Sequence, residues 1–254
     1  MLDAKQKYLQ IALNSTLEEA RDIINKIPLD KRIIIEAGTP LIKNYGVEGI
    51  KKIRAWWEQR VLFSYDPGVR FGPKITEPNP RRLFTLGNKK TAVAPFAPYI
   101  VADLKCMDRG EAEVIIAKAG GADAVTVLGQ APIETIDAFI EKCEELNLDA
   151  MIDMMNIDFS LKVLHQLKKL PKVVILHRGV DEEALNQEKE IPFHEIQRIK
   201  TNYDIMVAIA GGDTSQEVQR AIFNDADIVV VWKYFYQNTN ETAKLAEQFL
   251  KEIR

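Results

Sequence analysis

The amino-acid sequence predicts a single (β/α)8 barrel. Three observations support this fold class: the length, the recurrence of short apolar runs, and the helical pattern that follows each run. The 254 residues match the roughly 250 that such a barrel typically needs, although the length alone also fits two smaller α/β domains. Apolar residues make up 46% of the chain, which is enough to fill one large core.

Eight apolar runs are predicted to form the strands. They are rich in Val and Ile and almost continuously hydrophobic, which is typical of strands that are buried on both faces of a parallel sheet. In chain order the predicted strands are Tyr8–Leu13, Arg32–Ile35, Tyr99–Leu104, Ala124–Leu128, Ala150–Met154, Lys172–Leu176, Ile205–Ile209 and Asp227–Val231.

Eight segments with helical periodicity alternate with these strands. They are Thr16–Lys26, Pro40–Arg60, Arg109–Ala119, Ile133–Leu146, Phe159–Lys169, Pro192–Lys200, Ser215–Phe223 and Asn240–Ile253. Eight βα units that close on themselves make a barrel. A doubly wound open sheet is the competing architecture, but it usually has fewer strands and a glycine-rich first turn. Here the first turn reads Asn14-Ser15-Thr16 and contains no glycine.

One segment interrupts this alternation. Residues 61–98 lie between the second helix and the third strand and contain six prolines, three glycines and several basic side chains. Ordinary connections of this kind have about two to six residues, so the segment is an insertion. Its position predicts that it emerges at the amino-terminal face of the barrel, where it would serve structure or oligomer formation. The alternative is a charged arm that reaches the active site of a partner subunit.

Composition and charge exclude several classes of protein. The net charge is only -3, from 34 basic and 37 acidic residues, so we expect neither a nucleic-acid partner nor a membrane surface. Two cysteines, Cys106 and Cys143, are too few for a disulfide framework. Residues 1–10 have no apolar core of the signal-peptide type, and no apolar run reaches transmembrane length. We therefore expect a cytoplasmic protein.

Polar residues gather where the predicted strands end. In a barrel these ends converge on one mouth, so residues far apart in sequence become neighbours. A single charged residue of this kind would more often belong to a structural ion pair, but many converging ones point to a catalytic or binding site. The residues are Asn14, Glu36, Asp103, Lys105, Thr126, Asp153, His177, Gly211, Gly212 and Lys233.

The residue types at these ends indicate the chemistry. Strand alternation places Asp103 and Lys105 on one face. Glu36 and Asp103 are hard oxygen ligands suited to Mg²⁺, and Lys105, kept charged between carboxylates, would stabilise an oxyanion such as an enediolate. His177 is suited to proton transfer near neutral pH. Gly211-Gly212 would expose backbone N–H groups to a phosphate, although such a pair serves tight turns equally well.

These motifs resemble the orotidine 5'-phosphate decarboxylase suprafamily, and within it 3-hexulose-6-phosphate synthase and 3-keto-L-gulonate-6-phosphate decarboxylase. The resemblance rests on Asp103-Leu-Lys105-x-x-Asp108 and on the segments Glu36-Ala-Gly-Thr-Pro-Leu-Ile-Lys43, Gly121–Gly129, Ile152–Met154, His177–Asp181 and Ala208–Gly212. It implies that Glu36 and Asp103 hold Mg²⁺, that Lys105 stabilises the enediolate, and that His177 and Asp108 assist proton transfer. It also implies a homodimer in which Asp108 acts in the partner's site.

The resemblance implies an aldolase that joins formaldehyde to ribulose 5-phosphate. The alternatives are decarboxylation of a 3-keto sugar acid phosphate and, from a different class, a non-catalytic barrel that binds a phosphorylated ligand. Two strand ends depart from the family pattern. Asn14 replaces an aspartate, and Trp232-Lys233 replaces a pair that begins with glycine. Trp232 should share a face with Ile228 and Val230 and point into the barrel mouth. The alternative is that it packs outward against Phe235 or the last helix.

Overall fold

Eight parallel strands form a closed barrel in the order β1 to β8. The computed structural model describes residues 1–65, 96–186, 188–212, 214–232 and 242–253. Each strand pairs with its neighbours in sequence, and β1 also pairs with β8. The predicted fold class is therefore confirmed. The strands are β1 Tyr8–Leu13, β2 Ile33–Ala37, β3 Ile100–Cys106, β4 Ala124–Leu128, β5 Asp149–Asp153, β6 Val173–His177, β7 Met206–Ala210 and β8 Ile228–Val231.

The helices within the described residues surround this barrel. They are α1 Leu17–Lys26, α2 Thr39–Tyr65, α3 Gly110–Ala119, α4 Ile133–Glu145, α5 Ser160–Leu164, α6 Val180–Leu185, α7 His194–Asn202, α8 Ser215–Phe223 and α9 Thr242–Glu252. None of them is long and apolar enough to cross a membrane.

The prediction was wrong for three helical segments. A short extra helix, α6, follows β6, and α5 ends at Leu164 where the sequence predicted a helix to Lys169. Helix α2 continues to Tyr65, five residues into the predicted insertion at 61–98, and is interrupted at Gly46, whose φ of 59° suits a residue without a Cβ. Residues 66–95 of the insertion lie outside the described part of the chain.

The inward face of the barrel changes from apolar to charged along the strands β2, β3, β5 and β6. On β2 the buried Ile34 is followed on the same face by Glu36, and on β5 Met151 is followed by Asp153. The outward face carries the larger core, which packs the strands against the helices. Because all strands run in the same direction, their charged ends meet at one end of the barrel.

The opposite, amino-terminal end is filled by the start of the chain. Leu2 is buried in the inner apolar cluster, and its backbone N donates to Asp149 Oδ2 at 3.2 Å. The hydroxyl of Tyr99 donates to the same oxygen at 2.6 Å. These contacts satisfy a buried carboxylate at the base of β5 and close this end of the barrel interior.

Two helices at the polar end begin with capping boxes. Thr16 Oγ1 accepts from the backbone N of Glu19 at 3.2 Å, and the Glu19 carboxylate accepts from the backbone N of Thr16. Thr214 and Glu217 do the same at the start of α8. Such reciprocal bonds satisfy amide groups that a helix start otherwise leaves unpaired, and they fix the ends of the loops after β1 and β7.

Candidate active site

A cavity of about 290 Å³ opens at the carboxyl ends of the strands. Eight of the polar strand-end residues selected from sequence line it, and they come from seven different strands or the loops that follow them. They are Asn14, Glu36, Asp103, Lys105, Thr126, Asp153, His177 and Gly211. The expectation that barrel topology brings these strand ends together is confirmed.

The ammonium of Lys105 lies between two carboxylates. Its Nζ is 2.7 Å from Asp153 Oδ2 and 3.2 Å from Asp103 Oδ2. Asp153 Oδ2 also lies 2.8 Å from His177 Nδ1, while Asp153 Oδ1 accepts from the backbone N of Met155 at 2.9 Å. The side chain of Asp153 is almost completely buried. One buried carboxylate thus orients both the lysine and the histidine.

These contacts shift the pKa values of Asp153, Lys105 and His177. Burial alone would raise the pKa of Asp153, but His177 and Lys105 outweigh it and lower the pKa well below the ordinary value. Burial would lower the pKa of Lys105, yet Asp103 and Asp153 raise it above its ordinary value. The pKa of His177 is raised, because Asp153 outweighs the effect of burial. With Nδ1 held by Asp153, His177 would exchange protons with a ligand through Nε2.

Glu36 is in the opposite electrostatic situation. Burial and the nearby charge of Asp103 raise its pKa to about 7, and Lys105 only partly compensates. The side-chain amide of Gln10 donates to Glu36 Oε2. Gln10 was not predicted as a site residue, although it is the one polar residue within the apolar run Tyr8–Leu13. A cation bound beside Glu36 would offset the charge of Asp103 and favour the ionised form of Glu36.

The raised pKa of Glu36 predicts a pH-dependent stability. In metal-free protein the folded state binds this proton more tightly than the unfolded chain, so the stabilisation is present at low pH. It should be lost as pH rises from the ordinary pKa of 4.5 to about 7. The expected loss in the free energy of unfolding is on the order of 3–4 kcal/mol, at roughly 1.4 kcal/mol per pKa unit over the interval from 4.5 to about 7.

Denaturant titrations across this pH range measure the effect. Glu36→Gln should lack this component of the pH dependence, and Glu48→Gln, at an exposed glutamate on α2, should retain it. Parallel stability profiles for wild type and Glu36→Gln would contradict the assignment.

Asp103 is held by two hydroxyl groups. Thr126 Oγ1 donates to Asp103 Oδ1 at 2.7 Å. Thr39 Oγ1 lies 2.8 Å from both Asp103 Oδ2 and the backbone O of Asp103. Both threonines line the cavity. Because each carboxylate oxygen has its own partner, the carboxylate is fixed in one orientation.

The loops after β6 and β7 meet through Arg178. Its Nη2 donates to the backbone O of Gly211 at 2.7 Å and to Glu217 Oε1 at 3.2 Å. Gly211 has a φ of 88°, and a Cβ there would lie 2.1 Å from the backbone O of Arg178, so only glycine fits. Arg178 lines the cavity; the sequence placed it at the end of the sixth strand beside His177 but did not predict a role for it.

Two predicted residues do not line the described cavity, and the position of a third is not described. Gly212 lies behind Gly211, where a Cβ would meet Ile191 and Glu217. Asp108 is exposed on the loop before α3, and its Oδ1 accepts from the backbone N of Arg109 at 2.8 Å. Lys233 falls outside the described residues.

Trp232 lines the cavity and packs against the inner apolar cluster. The expectation that it points into the barrel mouth is confirmed. Its indole therefore occupies space on the side of the cavity formed by Ala210 of β7 and Val230 of β8. Within the described residues, these two strands contribute no charged side chain to the cavity.

Among the described residues, no three His, Cys, Asp or Glu side chains come together as a metal site. Glu36 and Asp103 form a pair of carboxylates that line one cavity, and the charge of Asp103 raises the pKa of Glu36. Mg²⁺ is commonly bound by one or two carboxylates, with water and substrate oxygens completing the octahedron. The donor set therefore fits Mg²⁺ better than a metal that needs three or four protein ligands.

Comparisons with known proteins agree with this geometry. Residues 90–248 match the model of the orotidine 5'-phosphate decarboxylase / HUMPS family. The chain is 33% identical over 252 residues to the bifunctional enzyme Fae/Hps of Methanosphaera stadtmanae; the match covers 97% of this chain and 52% of that protein. The chain thus spans about half the length of the curated relatives it matches.

Solved structures extend the similarity. The 3-hexulose-6-phosphate synthase of Salmonella typhimurium superimposes with a TM-score of 0.71 at 25% identity, over 96% of this chain and 99% of that one. KGPDC from Streptococcus mutans superimposes with a TM-score of 0.67 at 19% identity, over 98% of this chain and 97% of that one, which shows a shared fold.

Proposed function

Because this chain belongs to the orotidine 5'-phosphate decarboxylase / HUMPS family, we propose that it is a carbon–carbon lyase, an aldolase that joins formaldehyde to ribulose 5-phosphate. The observation that carries the proposal is Lys105, whose partly buried ammonium is held between the buried carboxylates of Asp103 and Asp153 in a cavity. The Hps part of the relatives' name and the synthase structure from Salmonella typhimurium support the choice of reaction.

The reaction requires a proton to leave C1 of the ketose phosphate, which gives an enediolate. Lys105 lies where a negative enediolate oxygen would be stabilised, because its charge is fixed by two carboxylates before substrate arrives. The C1 carbon then bonds to the carbon of formaldehyde, and the alkoxide formed takes up a proton. His177, oriented by Asp153, and Asp108 of the partner subunit are the proposed proton-transfer groups.

Glu36 and Asp103 are the residues proposed to hold Mg²⁺. When bound, the ion would neutralise charge on the substrate oxygens and position them. Gln10 and the two threonines orient these carboxylates. Ionisation of Glu36 is favoured by a neighbouring cation, so Mg²⁺ affinity should increase as pH rises towards 7.

The phosphate of the substrate is placed against the loop after β7. The backbone at Gly211 and the guanidinium of Arg178 lie on that side of the cavity, and Lys233 is proposed as a further cation. Asn14 lines the wall beyond Glu36 and, unlike an aspartate, offers both a donor and an acceptor to a substrate hydroxyl. Asp153 holds Lys105 and His177 beside the reacting end of the substrate, C1 and its neighbouring oxygens.

A homodimer is part of the proposal. Asp108 is exposed in its own chain, and apolar side chains beside it are exposed as well: Met107 is 48%, Ile115 52% and Ile116 40% exposed. Clustered apolar side chains at a surface are typical of protein–protein contacts. A second copy packed there would bury them and bring Asp108 towards the partner's cavity.

Mixing two inactive variants tests the shared site. Asp108→Asn and Lys105→Ala subunits, unfolded and refolded together, should regain activity that neither has alone, because a hybrid dimer contains one site with both groups intact. No recovery in a mixture that sedimentation shows to be dimeric would overturn the role of Asp108 across the interface.

Consumption of formaldehyde tests the function. In a mixture of purified protein, Mg²⁺, ribulose 5-phosphate and formaldehyde, the formaldehyde should be consumed and a six-carbon ketose phosphate should form. Chelation of Mg²⁺ should stop the reaction.

The structural similarity to KGPDC supports a second candidate, release of CO₂ from a 3-keto sugar acid phosphate through the same enediolate. Tight binding of ribulose 5-phosphate with neither reaction would instead identify a non-catalytic phosphate-binding barrel.

We also propose a cytoplasmic location. Both cysteines support it, because they are buried free thiols.

A further inference from the structure

The backbone of Lys105 has an unusual conformation. Its φ is 47°, in the left-handed region that residues other than glycine rarely adopt. It lies in the last part of β3, and no other residue of this strand has a positive φ. Such a conformation persists only where the surrounding structure holds it, and it is often found at functional sites.

The strain coincides with a shift in register between β3 and β4. Ala102 pairs with Val125, and Cys106 pairs with Val127, so a step of four residues on β3 faces a step of two on β4. The extra residues on β3 include both Asp103 and Lys105. An irregularity of this kind re-aims side chains and removes regular ladder hydrogen bonds, so the amide of Lys105 needs another partner.

That partner is the hydroxyl of Thr126. The backbone N of Lys105 donates to Thr126 Oγ1 at 3.0 Å, and the same hydroxyl donates to Asp103 Oδ1 at 2.7 Å. A hydroxyl has one proton to donate and lone pairs with which it accepts. The hydroxyl of Thr126 therefore accepts from the amide of Lys105 and donates its proton to the carboxylate of Asp103. The side chain of Thr126 is buried, with only 1% of its surface exposed.

We propose that Thr126 is a positioning residue, which holds the backbone of Lys105 and the carboxylate of Asp103 in the mutual geometry that the reaction needs. Through these bonds it brings Lys105 Nζ to Asp103 and to Asp153. The kinetic part of this inference rests on the proposed aldolase function, and the structural part does not.

The chain offers a matched control for the loss of a hydroxyl. Thr39 also contacts the carboxylate of Asp103, at 2.8 Å from Oδ2, and within the described residues its hydroxyl bonds to Asp103 rather than to Lys105. Thr39→Val and Thr126→Val therefore each remove one hydroxyl beside the same carboxylate, and only the second removes the partner of the Lys105 amide. Thr126→Ser restores the hydroxyl without the methyl group.

Three measurements on the full chain test the inference: kcat and KM for ribulose 5-phosphate with formaldehyde, the Mg²⁺ dissociation constant by calorimetry, and the crystal structure of each variant. Thr126→Val should lower kcat by about 10- to 100-fold, the effect typical of outer-shell partners of metal ligands. KM should change far less, and Thr126→Ser should recover most of kcat. Thr39→Val should weaken Mg²⁺ binding while the φ of Lys105 stays positive.

The crystallographic comparison separates this inference from the proposed function. In Thr126→Val the φ of Lys105 should become negative and its Nζ should leave Asp153. If wild type shows no aldolase activity, the proposed function fails, and the conformation of Lys105 in Thr126→Val still decides the role of Thr126. A Thr126→Val protein that keeps the positive φ and the contact with Asp153, or a kcat within twofold of an active wild type, would overturn the proposal.

Discussion

Lys105→Ala is expected to reduce kcat by at least about 10²–10³, the usual cost of removing one group that stabilises a developing oxyanion. The variant loses the ammonium that lies 2.7 Å from Asp153 and 3.2 Å from Asp103. It also leaves buried carboxylates without their cation, so the free energy of unfolding should fall, by about 3–5 kcal/mol if the pair behaves as buried pairs typically do. Steady-state kinetics and denaturant titration measure the two effects.

The metal site should survive this change. Glu36 and Asp103 remain in Lys105→Ala, and a cation is then more strongly favoured between them, so calorimetry should find Mg²⁺ affinity retained or increased. Lys51→Ala, which removes an exposed lysine paired with Glu48, controls for lysine replacement in general and should match wild type. A Lys105→Ala enzyme within tenfold of wild-type kcat would exclude the proposed role of the ammonium.

Asp103→Asn should produce the complementary result. The substitution removes one of the two carboxylates proposed to hold Mg²⁺, and we expect the dissociation constant for Mg²⁺ to rise by more than about 100-fold, the upper range found when only an outer-shell partner is lost. Turnover at ordinary Mg²⁺ concentrations should then be lost. Calorimetry with Mg²⁺ in the presence of a sugar phosphate measures the affinity directly.

A matched variant is available for Asp103. Asp123→Asn changes a carboxylate that is paired with Arg54 at 2.7 Å on the outside of the barrel, and it should leave Mg²⁺ affinity as in wild type. Retention of wild-type Mg²⁺ affinity by Asp103→Asn would show that the ion, if required, is held elsewhere.

Much of this site follows from sequence because barrel topology is simple. Once eight apolar runs are assigned to strands, the residues at their carboxyl ends must share one mouth, and Glu36, Asp153 and His177 were found in this way. The metal-binding and proton-transfer roles came from chemical type and from the family motif. They stay predictions, because geometry alone places the side chains and does not assign their tasks.

Other features depend on contacts that no local pattern encodes. Strand alternation correctly placed Asp103 and Lys105 on one face but implied a regular strand, whereas the register between β3 and β4 gives Lys105 a left-handed backbone. That register depends on how β3 pairs with β4, which the sequence of β3 alone does not show. Gln10 was missed because a single glutamine in an apolar run is equally consistent with an unremarkable strand residue, and only its contact with Glu36 distinguishes it.

The charged groups of the cavity are not distributed evenly around the barrel. Glu36, Asp103, Lys105, Asp153 and His177 come from the strands β2, β3, β5 and β6, with Thr126 of β4 completing the sequence. The remaining arc, from β7 through β8 to β1, contributes the apolar side chains of Ala210, Val230, Trp232 and Ala12 to the wall, and within the described residues its polar side chains, Gln10 and Asn14, are uncharged. We call the side chains of Ala210, Val230, Trp232 and Ala12 the apolar sector and the five charged residues the ionic sector, and we expect the first to influence selectivity and the second to carry the chemistry. Substitutions in the apolar sector could change which substrate is accepted during evolution while the ionic sector, with its coupled charges, remained intact.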